Sequence, residues 1–287
     1  MTSSTMEVEE ETKKMYLWKA KLAQEANRFE DMAMYMRQVF ETGAPMSKDE
    51  DNMLAAAYKH LLDTKRTSRR SLITVEHMDT VAPLEATMAR DYRERVESEV
   101  LALCTEMLTV ISGWLESPRA QSSDPESHVF YRKLYADYKR YAAEVTTDSL
   151  DRAAVITESR VAYERAEQLG RDSLRPIDPI RLGLMLNYSV FLYQMCDQHR
   201  QGHDLAKEAY EEAVAEIDSI DDHVYDESML ILRLIRDNLA IWVKENGGRP
   251  FEDPVVVDQS TELMTVPEDD AVTLYEEDPI PSNVDRH

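Results

Sequence analysis

Apolar residues recur at intervals of three and four positions along almost the whole middle of this 287-residue chain. One stretch places Leu54, Tyr58, Leu61 and Leu62 at this spacing, which puts their side chains on one face of an α-helix. No alternating pattern of apolar and polar residues favours a strand. Only 7 glycines and 11 prolines interrupt the chain, well below average usage. The pattern therefore predicts an all-α protein with long helices.

Turn and capping signals divide the periodic region into nine helices. Ser47 follows the turn at 43–45 and precedes Glu50 by three residues, which is the spacing of a capping box. A further break is predicted at Gln201 and Gly202. Connections this short favour antiparallel neighbours. The predicted helices span residues 13–26, 29–42, 47–80, 83–116, 126–145, 149–174, 179–199, 203–219 and 224–245.

The two ends of the chain differ in composition from the middle. Residues 1–12 are rich in serine, threonine and glutamate and are predicted to be a disordered acidic segment. Residues 13–245 form the predicted helical domain. Residues 246–287 are acidic and punctuated by proline, with too few large apolar groups to offset the entropy cost of ordering, so they are predicted to be a flexible tail.

Charge and cysteine content limit the classes of partner. A formal net charge of -23 repels nucleic-acid phosphates and anionic lipids. Cys104 and Cys196 are too few for a disulfide framework. No uninterrupted apolar run of membrane-spanning length and no signal-like segment is evident. We therefore expect a cytoplasmic protein without membrane insertion or nucleic-acid binding.

Two pairs of basic residues are each seven positions apart, which is two helical turns and therefore one helix face. The first pair is Lys59 and Arg66, and the second is Lys133 and Arg140, with Tyr141 adjacent. Each pair alone is most simply a solvated surface. Two cationic faces in so acidic a chain favour a bound anion, and guanidinium groups match the oxygens of a phosphate.

Two later predicted helices repeat the seven-residue spacing with mostly neutral residues. One carries Asn187 and Gln194, and the other carries Ile231 and Asn238, followed by Trp242. Four helices therefore each offer a face that could line one channel.

Four segments, in order along residues 15–244, resemble the 14-3-3 family: 52–59, 130–141, 179–190 and 225–242. The resemblance implies nine antiparallel helices in a cup-shaped protomer with an amphipathic groove, and a dimer of such protomers. It further implies an adaptor that binds phosphoserine or phosphothreonine motifs of client proteins and changes their conformation, interactions or location. Neither a cofactor nor catalysis is implied.

The resemblance also assigns roles to residues. It places Lys59, Arg66, Arg140 and Tyr141 at the phosphate and Lys133 beside it. Gln194 stands where the family usually has a glutamate, so a preference for a basic residue upstream of the phosphate is expected to relax. The remaining positions implied to contact the peptide are Leu186, Asn187, Val190, Leu230, Ile231, Leu234, Asn238, Ile241 and Trp242. From periodicity alone, the apolar residues among them could equally belong to the core.

A dimer contact is implied near the N-terminal helices. Ser68, in a run that resembles a basophilic kinase substrate, lies at this contact, so its phosphorylation is hypothesised to favour monomers; an unmodified serine is the alternative. Arg69 replaces the usual aromatic residue beside it. A homodimer is expected, and a mixed dimer with a sister isoform is left open. The implied contact comprises Leu22, Ala26, Leu72, Val75 and Tyr92, with Arg28 facing Glu99 and Asp31 facing Arg95 across it.

Three other interpretations are weaker. Cys196, His199 and His203 suggest a zinc site, but no fourth ligand is evident and Gly202 is expected to break the helix between the histidines. An acidic turn at residues 221–226 suggests the magnesium site of α-helical isoprenoid enzymes, but no second aspartate cluster accompanies it. An α-solenoid scaffold for unphosphorylated peptides remains an alternative binding protein.

Overall fold

The computed structural model describes residues 3–220, 222–249 and 251, and within these residues every regular element is helical. The all-α prediction is confirmed: each of the nine predicted helices is present. A five-residue helix, α5, and one 3₁₀ turn at Ile217–Ser219 are additional. The helices are α1 Ser3–Glu25, α2 Phe29–Glu41, α3 Lys48–Glu76, α4 Pro83–Leu115, α5 Pro118–Ser122, α6 Pro125–Val145, α7 Ser149–Ser173, α8 Pro179–Met195, α9 His199–Val214 and α10 Asp222–Glu245.

Polar side chains fix where several helices begin. The predicted capping box of α3 is present: the backbone N–H of Glu50 donates to Ser47 Oγ, and the backbone N–H of Ser47 donates to Glu50 Oε2. The side chains of Asp148 and Asp178 accept hydrogen bonds from the first backbone amides of α7 and α8, respectively, without a reciprocal bond. These contacts satisfy amide groups that a helix start leaves without partners.

The N-terminus differs from the prediction, because residues 3–12 are helical rather than disordered. Glutamate and methionine are good helix formers, so the local propensity of this segment supports the extra turns. The Thr12 hydroxyl donates to the Val8 carbonyl oxygen over 2.8 Å within them. Next to this segment, the buried Lys13 pairs with Glu50 of α3 at 2.8 Å. Helix propensity and this anchor outweigh the low hydrophobicity.

The predicted helix break at Gln201 and Gly202 is wrong, since both residues lie inside α9. The chain breaks instead after α8, where Asp197 has a left-handed φ of 54° and the amide of Gln198 donates to the carbonyl of Leu192. This is the geometry of a helix C-cap. Gly202 is buried, and a Cβ at this position would lie 2.6 Å from the backbone oxygen of Ser189. The glycine therefore permits close packing of α9 on α8.

The chain divides into two compact units, Met1–Arg175 and Pro176–His287, within the region predicted as one domain. In the first unit α1 packs on α2, α2 on α3, α3 on α4, α4 on α6 and α6 on α7. Its most deeply buried large side chains include Met32, Met36, Leu54, Tyr58, Leu62, Met107, Ile111, Tyr131 and Tyr163.

The second unit is built from α8, α9 and α10, which all contact one another. After α10 the chain turns through Gly247 and Gly248, both at positive φ. Phe251 then stacks on His203 with ring centroids 4.5 Å apart. The rest of the predicted tail, residues 252–287, lies outside the described residues. The core of this unit contains Leu182, Leu186, Val190, Ile231, Ile235 and Trp242.

One described helix, α4, is long and apolar enough to cross a membrane by length and composition alone, with an 18-residue window of mean hydropathy 1.3. The core helix of a water-soluble protein has the same composition. Val100, Met107 and Ile111 of α4 are fully buried, and α4 packs on α3 and α6. Only 33% of that window is buried inside the protein, and a single helix of this kind is weak evidence for a membrane span.

Candidate functional site

Packing of α3 against α4 and of α4 against α6 brings the two predicted basic faces together in the first unit. Arg66 on α3 binds Glu144 on α6 through two hydrogen bonds, Nε to Oε2 at 2.9 Å and Nη2 to Oε1 at 3.1 Å. Arg140, also on α6, donates from Nη1 to the same Oε1 at 3.0 Å. Two guanidinium groups from different helices thus converge on one carboxylate oxygen.

Tyr141 lies beneath both guanidinium groups. The Arg66 Cζ atom is 4.9 Å and the Arg140 Cζ atom 4.3 Å from the centroid of its ring. Cations over an aromatic face are attracted by the ring quadrupole. Burial raises the pKa of the Tyr141 hydroxyl, which therefore stays protonated. The ring therefore holds the two arginines side by side.

Arg140 is the most deeply buried cation of this group, with 3% of its surface exposed. Its Nη2 has no hydrogen-bond partner among the described residues. Burial alone would lower the pKa of Arg140, but Tyr141, Tyr163 and Glu144 outweigh burial and raise it. A buried cation with an unused donor is costly unless an anion stabilises it. Arg140 therefore favours an anion at this position.

The two lysines lie on the same helix faces, and each is held by a carboxylate. Lys59 pairs with Asp63 one turn further along α3. Lys133 pairs with the buried Asp137 at 2.9 Å, and the Tyr163 hydroxyl donates to the other oxygen of Asp137. We name Lys59, Asp63, Arg66, Lys133, Asp137, Arg140, Tyr141 and Glu144 the charged cluster.

The three carboxylates of the charged cluster were not among the predicted site residues, although their spacing is visible in the sequence. Asp63, Asp137 and Glu144 each follow a basic residue of the cluster by four positions, the spacing at which helix side chains pair. Four basic residues and three carboxylates leave one net positive charge. The free site is therefore nearly neutralised by its own acids.

In the second unit, Asn187 on α8 and Asn238 on α10 are both buried. The Asn238 Nδ2 group has no hydrogen-bond partner among the described residues. A buried amide donor without a partner favours binding of an acceptor such as a peptide carbonyl. Gln194 is exposed at the end of α8, and its effect on motif preference stays a prediction.

The predicted apolar contacts of the second unit divide into two groups. Leu186, Val190, Ile231 and Trp242 are core residues with 1–4% exposure. Trp242, implied by the resemblance to contact the peptide, stacks on Tyr193 with centroids 4.4 Å apart, so its ring is part of the core. Burial of these four supports the alternative interpretation that they stabilise the fold. Those left partly exposed, and so available to a peptide, are Leu230, Leu234 and Ile241.

The predicted dimer contact is an exposed apolar surface of the first unit. Leu22, Ala26, Val75 and Tyr92 are exposed, and Leu72 is half-buried. Large exposed apolar groups that share a helix face mark interaction surfaces. Other large apolar side chains of the same helices are also exposed, namely Met15 and Trp18 on α1 and Leu84 and Met88 on α4.

Charged residues of the predicted contact are paired within the protomer. Arg28 pairs with Asp31, and Arg95 lies 3.5 Å from Glu99, which also accepts a hydrogen bond from Lys65. Pairing of Arg28 with Glu99 and of Asp31 with Arg95 across a dimer stays a prediction. Formation of these pairs between protomers requires that the pairs within each protomer break.

Arg69, which replaces the usual aromatic residue beside this surface, is paired within the protomer. It donates to the buried Glu97 over 2.8 Å, and Arg93 binds the same carboxylate. Arg93 and Arg90 also bind Glu76 and lower the pKa of that carboxyl to about 2. Arg69 thus belongs to a charge network between α3 and α4.

Neither weaker metal interpretation gains support. The described residues contain no group of three or more ligand side chains suited to a metal. His199 lies 3.2 Å from Asp197, whereas His203 stacks on Phe251. Asp221 of the acidic turn lies outside the described residues.

Comparison with known proteins agrees with this geometry. The sequence model of the family described as 14-3-3 protein matches residues 19–243. The 14-3-3 protein theta of Homo sapiens is 40% identical over 230 residues, which cover 80% of this chain and 92% of that protein. The theta proteins of Mus musculus and Gallus gallus match to the same extent. This chain belongs to the 14-3-3 family.

Proposed function

We propose that the charged cluster holds the phosphate of a phosphoserine or phosphothreonine segment of a client protein. Family membership supports the general activity, that of a dimeric adaptor for phosphorylated proteins. The residue assignment rests on one observation: Arg66 and Arg140 meet at a single oxygen of Glu144. That oxygen occupies a position suited to an oxygen of a phosphate.

Binding proceeds by exchange of acceptors. A phosphate carries about 1.5–2 negative charges and three strong acceptor oxygens. It replaces Glu144 at the donors of Arg66 and Arg140 that bind this carboxylate in the free protein, while Lys59 and Lys133 add charge beside it. Charge-assisted hydrogen bonds of this kind are roughly twice as strong as neutral ones. The proposed activity consists of binding alone, without a cofactor or a covalent step.

In the second unit, Asn187 and Asn238 are proposed to bind backbone groups of the client peptide. The unused Nδ2 donor of Asn238 supports this role. Leu230, Leu234 and Ile241 are proposed to contact apolar side chains of the client. Gln194 offers a neutral amide, so it gives an upstream arginine no ion pair.

A homodimer formed through the exposed apolar surface would present two such sites. One client with two phosphorylated segments could then bind both, or two clients could be bridged. Bivalent binding raises avidity by about 10²–10⁴ when the spacing fits. We further propose a cytoplasmic location and leave mixed dimers with a sister isoform as an extension of the same interface.

Fluorescence anisotropy with labelled peptides tests the proposal. A singly phosphorylated peptide should bind, its dephosphorylated form should not, and a doubly phosphorylated peptide of suitable spacing should bind far more tightly. Binding that ignores the phosphate would instead support an α-solenoid scaffold. Magnesium-dependent turnover of an isoprenoid substrate would support an enzyme.

A further inference from the structure

The three carboxylates of the charged cluster are not equivalent. The side chain of Asp63 is 36% exposed, against 15% for Glu144 and 4% for Asp137. Asp63 pairs with Lys59, and its Oδ1 lies 3.7 Å from Nη1 of Arg66, beyond hydrogen-bond distance. Of the three acids, Asp63 is therefore the one that meets solvent most and is held least.

Glu144 and Asp137 are needed by the fold of the site. Glu144 accepts hydrogen bonds from both arginines, and Asp137 accepts hydrogen bonds from Lys133 and Tyr163. Removal of either would take away a carboxylate that binds a buried cation, which is strongly destabilising. Asp63 is not needed in this way, because Arg66 keeps its two hydrogen bonds to Glu144 when Asp63 is absent.

We infer that Asp63 is an internal competitor of the client phosphate. In the free protein it holds Lys59, and a bound phosphate must take Lys59 from it while remaining close to its negative charge. This inference rests on the proposed function of the charged cluster. The inference extends that function: the carboxylate of Asp63 lowers the affinity of each charged cluster for the phosphate of a client.

The charge balance of the cluster gives the reason. With Asp63 the cluster has one net positive charge, which is too little for a phosphate dianion. Without Asp63 the cluster would have two net positive charges, equal in magnitude to the charge of a phosphate dianion. Because Coulomb energy is proportional to the product of the charges, Asp63 opposes a dianion about twice as strongly as a monoanion. A weak single site in turn makes the protein depend on clients with two phosphorylated segments.

Asp63→Asn tests the inference, and Asp49→Asn is the matched control. Asp49 is exposed on the same helix, about 21 Å away along the axis at 1.5 Å per residue, so its loss changes the net charge equally. Anisotropy at low salt would compare a phosphoserine peptide with the same peptide carrying serine sulfate, a tetrahedral monoanion. Circular dichroism would verify the fold of each variant.

The Asp63→Asn protein should bind the phosphoserine peptide about three- to tenfold more tightly, a gain of about 0.7–1.4 kcal/mol. For the sulfate peptide, the gain in binding free energy should be about half as large. Asp49→Asn should change the affinity for neither peptide. Asp63→Ala, which cannot hydrogen-bond to Lys59, should behave like Asp63→Asn. Unchanged or weaker phosphopeptide binding in both Asp63 variants would overturn the inference.

The two possible failures are distinguishable. If wild-type protein binds only the phosphorylated peptide and the Asp63 variants show no gain, the competitor role alone is wrong. If wild-type protein binds both forms of the peptide equally, the proposed function is wrong and the inference falls with it.

Discussion

Arg66 and Arg140 donate hydrogen bonds to the same oxygen, Oε1 of Glu144, over 3.1 and 3.0 Å. The two arginines come from α3 and α6 and both lie over the ring of Tyr141. Helix packing and the aromatic ring therefore fix their separation before any ligand arrives. Such preorganisation lowers the entropy cost of binding a phosphate.

Gly202→Ala should destabilise the protein by about 1–3 kcal/mol, because the new methyl group would overpack the contact between α8 and α9. Its Cβ would lie 2.6 Å from the Ser189 oxygen and 3.0 Å from the Tyr193 nitrogen, both backbone atoms that cannot move aside easily. Gly113→Ala is the control. A Cβ there meets nothing within 4 Å, so this change in α4 should stabilise by about 0.5–1 kcal/mol. Urea unfolding showing equal stability for Gly202→Ala and wild type would refute the packing role.

Helix positions could be predicted from sequence because their signals are local. The Ser47 and Glu50 capping box and the spacing of Lys59 and Arg66 need only one segment to be read. Gly202 could not be interpreted in this way, since its role depends on the backbone of a second helix. Local propensity indicates a break, whereas packing requires a glycine inside the helix.

Cys104 should resist alkylation in the folded protein, whereas the half-buried Cys196 should react first. Burial raises the pKa of the Cys104 thiol to about 12. At pH 8 only about one thiol in 10⁴ would be the reactive thiolate. Mass spectrometry after iodoacetamide treatment should therefore find modification at Cys196 alone, and at both cysteines in urea. Equal rates at the two cysteines in the native protein would contradict the burial of Cys104.

Ser68→Glu should favour monomers, and Ser68→Ala should not. The side chain is exposed on α3, where its hydroxyl donates to the Thr64 carbonyl oxygen over 2.9 Å. A negative charge at the proposed contact would be desolvated between protomers, so we expect the dimer dissociation constant to rise at least about tenfold, or ~1.4 kcal/mol. Light scattering at low micromolar concentration measures this. An undiminished Ser68→Glu dimer would remove Ser68 from the interface.

The candidate site was only partly predictable. Basic residues seven positions apart indicated the helix faces, and the family resemblance predicts a phosphate as their ligand. The bonds from Arg66 to Glu144 join different helices, so no spacing along the chain could indicate them. Likewise, burial of Trp242 depends on stacking with Tyr193 of another helix, which periodicity does not reveal.

Two truncations separate the roles of the acidic tail. Deletion of residues 252–287 should tighten phosphopeptide binding severalfold at low salt and less at high salt, if the tail competes electrostatically for the charged cluster. Deletion from 247 onward also removes Phe251, which stacks on His203, and should additionally lower the melting temperature. Unchanged affinity at low salt after the shorter deletion would leave the tail without an inhibitory role.

The most direct test of the charged cluster is the dissociation constant of a phosphopeptide for Arg66→Glu, measured beside wild type. This change removes charge-assisted bonds and adds repulsion, so affinity should fall at least about a hundredfold, or ~2.7 kcal/mol. Arg165→Glu, a charge reversal at an exposed position of α7, should leave affinity unchanged. A folded Arg66→Glu protein that binds within about threefold of wild type, a change below ~1 kcal/mol, would contradict the assignment of the phosphate to this cluster.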